Sequence, residues 1–392
     1  MKIFVLLSRI PWPLEKGDKL RAYHQIKELA KKNEIVLCAL NSDPKADKQR
    51  AFKALQPFCR SINFIDLPFH GIIFNLLRAW VFGKPLQTGY FYNSKAERKV
   101  KRLILHHQPD VLYGQLLRVA EYLRHNSLPK VLDYQDIFSQ GMFRRFQVAS
   151  LFLKPFLRAE YLRLKSYEAD VFDDFDIKTI ISFPDRDLIP HSDRDKILVV
   201  PNGVDHDYFK PIEVEKKYDI VFTGNMAYPP NVNAAEFLAE EIMPLVWKVL
   251  PQTMILIAGA TPDKKVRNLA SDRIHVSGWL DDIRMAYAES RVFIAPMRIG
   301  TGLQNKLLEA MSMKLPCVTT VLANDALKGL NGEELFVGEN ASELADFIIQ
   351  LLKNEGKANL IAQNGYDFVH RHFDWASSIR KLEQSLQSII EK

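Results

Sequence analysis

The sequence predicts an α/β protein of two doubly wound parallel-sheet domains facing across a cleft. Short apolar runs alternate with stretches of helical spacing along the chain. The alternation is interrupted by a polar segment, residues 201–217, that opens on Pro201 and Gly203. At roughly 100–200 residues per domain, 392 residues are the length of two such units.

Each element follows from its residues. Residues 3–7 are a continuous apolar run, the mark of a parallel strand covered on both faces. Two Pro and one Gly make residues 9–18 a loop, and Leu20, Tyr23, Ile26, Leu29 and Ala30 give residues 19–31 a helical stripe. A strand at 35–40, a helix at 96–107, a strand at 111–113, a helix at 117–124 and a strand at 131–133 continue the first unit. The second unit reads strand 219–223, loop 224–231, helix 233–249, strand 253–258, strand 292–295, helix 303–313 and strand 317–320. The domains are then 1–200 and 218–370, Rossmann-like, with a linker at 201–217. An amphipathic helix in 371–392 is expected to pack back on the first domain. In such folds ligands sit outside the carboxyl ends of the strands.

Composition narrows the function classes. The chain is 47% hydrophobic and 26% charged, with a net charge of +6 and a pI near 8.9, a mild basicity that suits anionic ligands or an anionic membrane surface. No zinc spacing and no RNA-binding signature is present, so no nucleic-acid partner is expected. Cys38, Cys59 and Cys317 are scattered and odd in number, which fits a reducing compartment. The apolar start is too short for a signal-peptide core, and the greasy stretch 69–82 is interrupted by Asn75 and Arg78, so it does not span a bilayer. A cytoplasmic protein is expected, with peripheral contact at the inner face of the cell membrane. The basic, aromatic segment from Phe143 to Arg163 is either a surface for that contact or a helix packed on the first sheet.

One window concentrates the chemistry. A strand ends at Ala295, Arg298 follows, and Gly300, Thr301 and Gly302 make a tight loop before a helix predicted to open at Leu303. Backbone N–H groups and the positive dipole end at such a start form an anion site, and two glycines let the backbone approach a diphosphate. Leu303, Leu307, Ala310 and Met311 form the buried stripe. Lys306 and Glu309 fall on another side, roughly 4.5 Å apart along the axis. Lys306 can reach a phosphate, and the Glu309 carboxylate can accept from both hydroxyls of a ribose. An exposed i,i+3 ion pair is the plain alternative.

This Gly-x-Gly-x-x-Asn-Lys-x-Leu-Glu-Ala-Met run, with Asn305, resembles glycosyltransferase family 4, of GT-B fold. So do Phe222-Thr223-Gly224-Asn225-Met226 and Pro201-Asn202-Gly203-Val204-Asp205. The run from Lys16 to His24 resembles a bacterial subgroup that assembles surface polysaccharide. The resemblance implies a retaining transfer from a nucleotide diphosphate sugar to a hydroxyl acceptor, a glycan or a lipid-linked one, with no cofactor and no metal, and Glu309 on the donor ribose. Many members carry two glutamates separated by seven residues; the earlier would fall at 301, where this chain has Thr301.

The departing diphosphate gathers negative charge, so cations and N–H groups aimed at it lower the barrier. Arg298, Lys306 and the Gly300–Gly302 turn suit that task. In the first domain, the Gly17 N–H could reach the donor phosphate, and Asp18 or Asp136 an acceptor hydroxyl; helix-start roles are the plain alternatives. Gly224 and Asn225 leave a strand at the end suited to donor contact, as does Tyr228. Four Asp-x-Asp pairs (Asp174/Asp176, Asp185/Asp187, Asp193/Asp195 and Asp205/Asp207) do not follow long apolar strands and read as solvated loop charges. A nucleotide-sugar epimerase and a non-catalytic nucleotide-sugar-binding protein are the competing readings on the same architecture. A dinucleotide oxidoreductase is disfavoured, because no Gly-x-Gly-x-x-Gly follows the first strand.

Overall fold

In a computed structural model, residues 1–300 and 302–390 are described. They form two units, Met1–Pro201 with Ala376–Lys392, and Asn202–Trp375.

Unit 1 carries a seven-stranded sheet of β1 (Lys2–Leu7), β2 (Glu34–Asn41), β3 (Ser61–Asp66), β4 (Val111–Gln115), β5 (Lys130–Gln135), β6 (Ile177–Ile180) and β7 (Leu198–Val199). Its order is β3-β2-β1-β4-β5-β6-β7, with every pair parallel. Ile3, Phe4 and Leu6 on β1 are fully buried, as an inner strand with helices on both faces requires. The strand order reverses between β1 and β4, so the loop after β1 and the loop after β4 diverge there and leave a crevice.

Unit 2 carries a six-stranded parallel sheet of β8 (Tyr218–Thr223), β9 (Ile255–Ala258), β10 (Ile274–Gly278), β11 (Ser290–Ala295), β12 (Cys317–Thr320) and β13 (Phe336–Gly338). The order is β10-β9-β8-β11-β12-β13, so the switch point lies between β8 and β11. Ile220, Val221 and Phe222 on β8 and Phe293, Ile294 and Ala295 on β11 are fully buried.

Two helices differ from expectation in instructive ways. The helix expected at 233–249 begins at Pro229, with Pro229 and Pro230 in its first turn, where a missing N–H costs nothing. It carries a π turn over Leu238–Ile242 before continuing as Met243–Val249. Pro244 cannot donate to the carbonyl one turn back, and the wider turn accommodates that loss. The helix expected to open at Leu303 runs Asn305–Ser312, with Gln304 as N-cap residue. The C-terminal helix, Trp375–Ile390, counts from Ala376 with unit 1. There Glu383 accepts from Asn33 Nδ2 at 2.9 Å and pairs with Lys32 at 3.3 Å.

Candidate active site

The two loops that leave β8 and β11, the strands flanking the switch point of unit 2, carry most of the expected donor residues. Gly224 follows β8 with φ 156°, a value that favours glycine. A Cβ there would lie 2.7 Å from Asn231 Nδ2 and 3.1 Å from Lys306 Nζ. Gly224 and Lys306, 82 positions apart by number, therefore meet. Gly300 and Gly302, after β11, have φ of 115° and 82°. Thr301 lies outside the described residues.

At the head of the helix Asn305–Ser312, the Gln304 side chain does not cap the first amides; its Nε2 turns back to the Gly302 carbonyl at 3.3 Å. The uncapped helix start keeps the character of an anion site. Asn305 accepts from Asn202 Nδ2 at 3.1 Å, and Asn202 is buried, so the Pro-Asn-Gly segment anchors this helix start. Leu303 packs against the core of unit 2.

Lys306 and Glu309 are both part-buried, and each has its own partner. Lys306 Nζ donates to Asn231 Oδ1 at 2.6 Å and lies 4.6 Å from the centre of the Phe222 ring. Burial pushes its amine down to about 7, against the pull of Glu309. Glu309 Oε2 accepts from Tyr287 Oη at 2.7 Å, and Tyr287 Oη lies 2.8 Å from Thr223 Oγ1. Burial raises the Glu309 carboxyl, while Tyr287 and Lys306 hold it down. The two charges are thus held separately, and the exposed surface pair does not form. Asn231 fixes the other wall: its Nδ2 donates to the Asn225 carbonyl at 2.9 Å, which turns its oxygen to the lysine. Asn225 itself is a turn former, its Oδ1 accepting from Ala227 N at 3.0 Å. Tyr228 is exposed.

Arg298 is a correction. Its guanidinium pairs with Glu241 at 2.7 Å, reaches Asn233 Oδ1 at 3.3 Å and covers the Phe237 ring at 4.1 Å. Lys306 is held by Asn231, two positions earlier on the same helix. Residues two apart on a helix point in different directions, so Arg298 is drawn to another side of Pro229–Phe237 and does not join Lys306. Arg298 instead borders a depression outside β11–β13, with Thr320 and Leu322.

In unit 1, Gly17 opens the helix Gly17–Leu29, and a Cβ there would meet nothing within 4 Å. The chain itself therefore does not require glycine at this place. Asp18 accepts from Arg9 Nη1 at 3.0 Å and lies 3.7 Å from Arg118 Nη1, so its charge is already answered. Gln115, at the end of β4, donates to the Asp18 carbonyl at 3.1 Å. Asp136 is exposed just past β5 and accepts from the Ile137 N–H at 2.7 Å; Ile137, not Asp136, is the N-cap residue of the helix Phe138–Val148. Leu116 and Gln135, at the ends of neighbouring strands β4 and β5, have φ of 69° and 60°. Strain of this kind collects at functional loops.

Sequence reasoning missed Asn231's grip on Lys306, Tyr287 and Gly259. Among the described residues, no group of three or more His, Cys, Asp or Glu side chains could hold a metal ion, and no helix is long and apolar enough to cross a membrane. Asp174 pairs with Arg124 at 2.6 Å, and Asp185, expected as a solvated loop charge, is instead buried in the helix Phe183–Asp187, where it accepts from Ser182 Oγ.

Two doubly wound parallel sheets, one with glycine loops and an uncapped helix start at its switch point, define a Rossmann-like protein. Residues 217–354, which hold β8–β13 and this site, match the family described as Glycosyl transferases group 1. The whole chain is 22% identical to an uncharacterized 44.6 kDa protein in the cps region of Klebsiella pneumoniae, covering 95% of this chain and 96% of that one. It superposes on sucrose-phosphate synthase from Thermosynechococcus elongatus with a TM-score of 0.74 at 14% identity, covering 100% of both chains. It superposes on HepE from Anabaena, solved in complex with UDP and glucose, with a TM-score of 0.69 at 15% identity, covering 99% of this chain and 100% of that one. The likeness shows the GT-B fold, and the group 1 domain supports a glycosyltransferase.

Proposed function

We propose that the chain is a retaining, metal-independent glycosyltransferase of family 4, in the subgroup that builds bacterial surface polysaccharide or glycolipid. In this reading it moves a hexose from a nucleotide diphosphate sugar to a hydroxyl of a glycan or lipid-linked acceptor, in the cytoplasm and in peripheral contact with the membrane. The observation that carries the reading is the convergence of Gly224, Lys306 and Glu309 at the switch point of unit 2, inside the matched segment 217–354.

Each residue then has a task. The Gly300–Gly302 turn and the first amides of the helix Asn305–Ser312 receive the diphosphate, and Lys306 neutralises charge on it. Glu309, oriented by Tyr287, accepts from the ribose hydroxyls. As the bond from the anomeric carbon to the diphosphate breaks, its electron pair stays on the leaving oxygen, and fixed N–H groups and the lysine stabilise that charge. The acceptor hydroxyl forms the new bond through its oxygen on the same face of the sugar, and its proton passes to the departing diphosphate oxygen. Gly17, Asp18 and Asp136 are assigned to the acceptor and phosphate side, and Arg298, engaged by Glu241, leaves the diphosphate set.

The test is calorimetry with nucleoside diphosphates, UDP first because HepE was solved with it. Glu309→Ala is expected to abolish binding while leaving the melting temperature within a few degrees. Unchanged affinity would overturn the donor site. A sugar released or isomerised from donor alone, with no transfer across an acceptor panel, would overturn the transferase.

A further inference from the structure

The helix Phe69–Val81 poses a physical problem. Its inward side is served by Ile72 and Ala79, both buried, and by Leu76, packed on the core of unit 1. Its outward ridge is also apolar: Phe74, Leu77 and Val81, spaced i, i+3 and i+7, are 66%, 62% and 75% exposed. An apolar ridge on the side of a helix that faces away from its core calls for an apolar surrounding there too. The protein supplies one side only.

The same face continues onto a second element. Between the helices Phe138–Val148 and Lys154–Asp170, the turn presents Leu151, Phe152 and Leu153, with Phe152 96% exposed. Trp80 stacks on Phe156 with ring centres 5.5 Å apart, and Arg163 covers the Trp80 ring at 4.7 Å. Helix and turn are therefore parts of one continuous surface of unit 1.

Its charge is one-sided. Residues 69–84 and 143–158 contain Arg78, Lys84, Arg144, Arg145, Lys154 and Arg158 and no Asp or Glu. The next acid, Glu160, is buried and accepts from the Leu86 N–H at 2.7 Å, so it is not presented on this surface. Apolar tips with a cationic rim match a bilayer of anionic lipid, where the tips enter the acyl boundary and the long basic side chains reach the headgroups. A second copy of the chain is the poorer occupant: a two-fold interface would set this cationic face against its own image.

We propose that unit 1 docks on anionic lipid through this face, with the outward ridge of Phe69–Val81 and the turn at Leu151–Leu153 inserted side by side. The proposal makes specific the membrane contact included in the proposed function, and it does not depend on the transfer chemistry. Docking deepens the contact expected from residues 143–163 by assigning half of it to a helix whose sequence signalled only that it does not span a bilayer.

The full chain is incubated with phosphatidylcholine vesicles and with vesicles of phosphatidylcholine and phosphatidylglycerol, then sedimented. Strong partition onto the anionic vesicles is expected, at least tenfold weaker onto the neutral ones and weaker again in high salt. Phe74→Glu with Phe152→Glu is expected to lower the anionic partition at least tenfold, with an unchanged circular dichroism spectrum and melting temperature. Should that pair fail to fold, the wild-type chain still decides: brominated lipid is expected to quench a fluorescence component that Trp80→Phe removes. No partition, equal partition onto both vesicle types, or a dimer in sedimentation velocity that the glutamates dissolve would overturn the proposal.

Discussion

Tyr287 donates its hydroxyl to Glu309 Oε2 at 2.7 Å, and this bond sets the orientation of the carboxylate. The tyrosine is fully buried and stands on a different helix, Ile283–Ala288. Tyr287→Phe keeps the ring and removes the donor. A hydrogen bond to a charged group contributes about 1.5–3 kcal/mol, so donor affinity is expected to fall about tenfold or more in calorimetry. Stability should fall by about 1–3 kcal/mol, since the bonds to Glu309 and to Thr223 are both lost while packing is kept. Unchanged affinity would show that the orientation of Glu309 does not matter to the ligand.

Lys306 is expected to make anion binding depend on pH. Its folded amine titrates near 7 and the unfolded one at its ordinary 10.5. Between these values the unfolded chain holds a proton that the folded chain lacks. Stability from this site therefore rises with pH across that window and is lost as pH falls from 10.5 toward 7. Lys306→Met is expected to stabilise the protein at pH 7, by about 1 kcal/mol or more, because each pKa unit corresponds to about 1.4 kcal/mol. Ligand binding runs the other way, since a diphosphate favours the charged amine. Above pH 7 wild-type affinity is expected to drop about tenfold per pH unit, with proton uptake visible as a dependence of the binding heat on buffer. A flat affinity from pH 7.5 to 9.5 would place Lys306 outside the anion site.

The inner strands were legible because both of their faces are covered. β1, β2, β8 and β11 are near-continuous apolar runs. β3, with the sequence Ser-Ile-Asn-Phe-Ile-Asp, and β10, with Ile-His-Val-Ser-Gly, are edge strands, half wetted, and carry no such run. The glycine loop, Lys306 and Glu309 could be read locally, since they lie in one window. Their partners could not: Asn231 comes from 75 positions away and Tyr287 from 22, brought by packing that no local period encodes. Arg298 misled for the same reason, because Glu241 reaches it only through the fold.

Gly259 carries a steric role that its sequence context does not announce. It follows β9 with φ 142°, and a Cβ there would overlap the carbonyl oxygen of Gly224, at the end of neighbouring β8. Backbone cannot move aside as a side-chain tip can. Gly259→Ala is expected to cost about 3 kcal/mol or more, combining strain at positive φ with overpacking. It should also displace Gly224 and so weaken diphosphate binding. Gly17→Ala is the control, since its Cβ enters open space. Urea unfolding that leaves the Gly259→Ala midpoint unchanged would mean that the strand ends yield more than their register suggests.

Arg21, within the run that resembles the polysaccharide-assembly subgroup, turns out to organise unit 1. It is fully buried, with Nε 2.6 Å and Nη2 3.1 Å from the two oxygens of Asp133, and Nη1 donates to the Val200 carbonyl at 2.8 Å. Asp133, on β5, also accepts from Thr179 Oγ1 at 2.8 Å and from Gln25 Nε2 at 3.2 Å. The pair thus ties the first helix to β5, β6 and the exit of the sheet. Removing one partner of a buried pair leaves the other charge uncompensated, at a cost of about 3–5 kcal/mol. Arg21→Met is therefore expected to lower the unfolding midpoint steeply. Adding Asp133→Asn should recover part of the loss, because the stranded charge disappears with it. If the double variant instead loses the sum of the two single losses, the contribution of Arg21 lies in its packing and its bond to Val200, and the ion pair is incidental to the stability of unit 1.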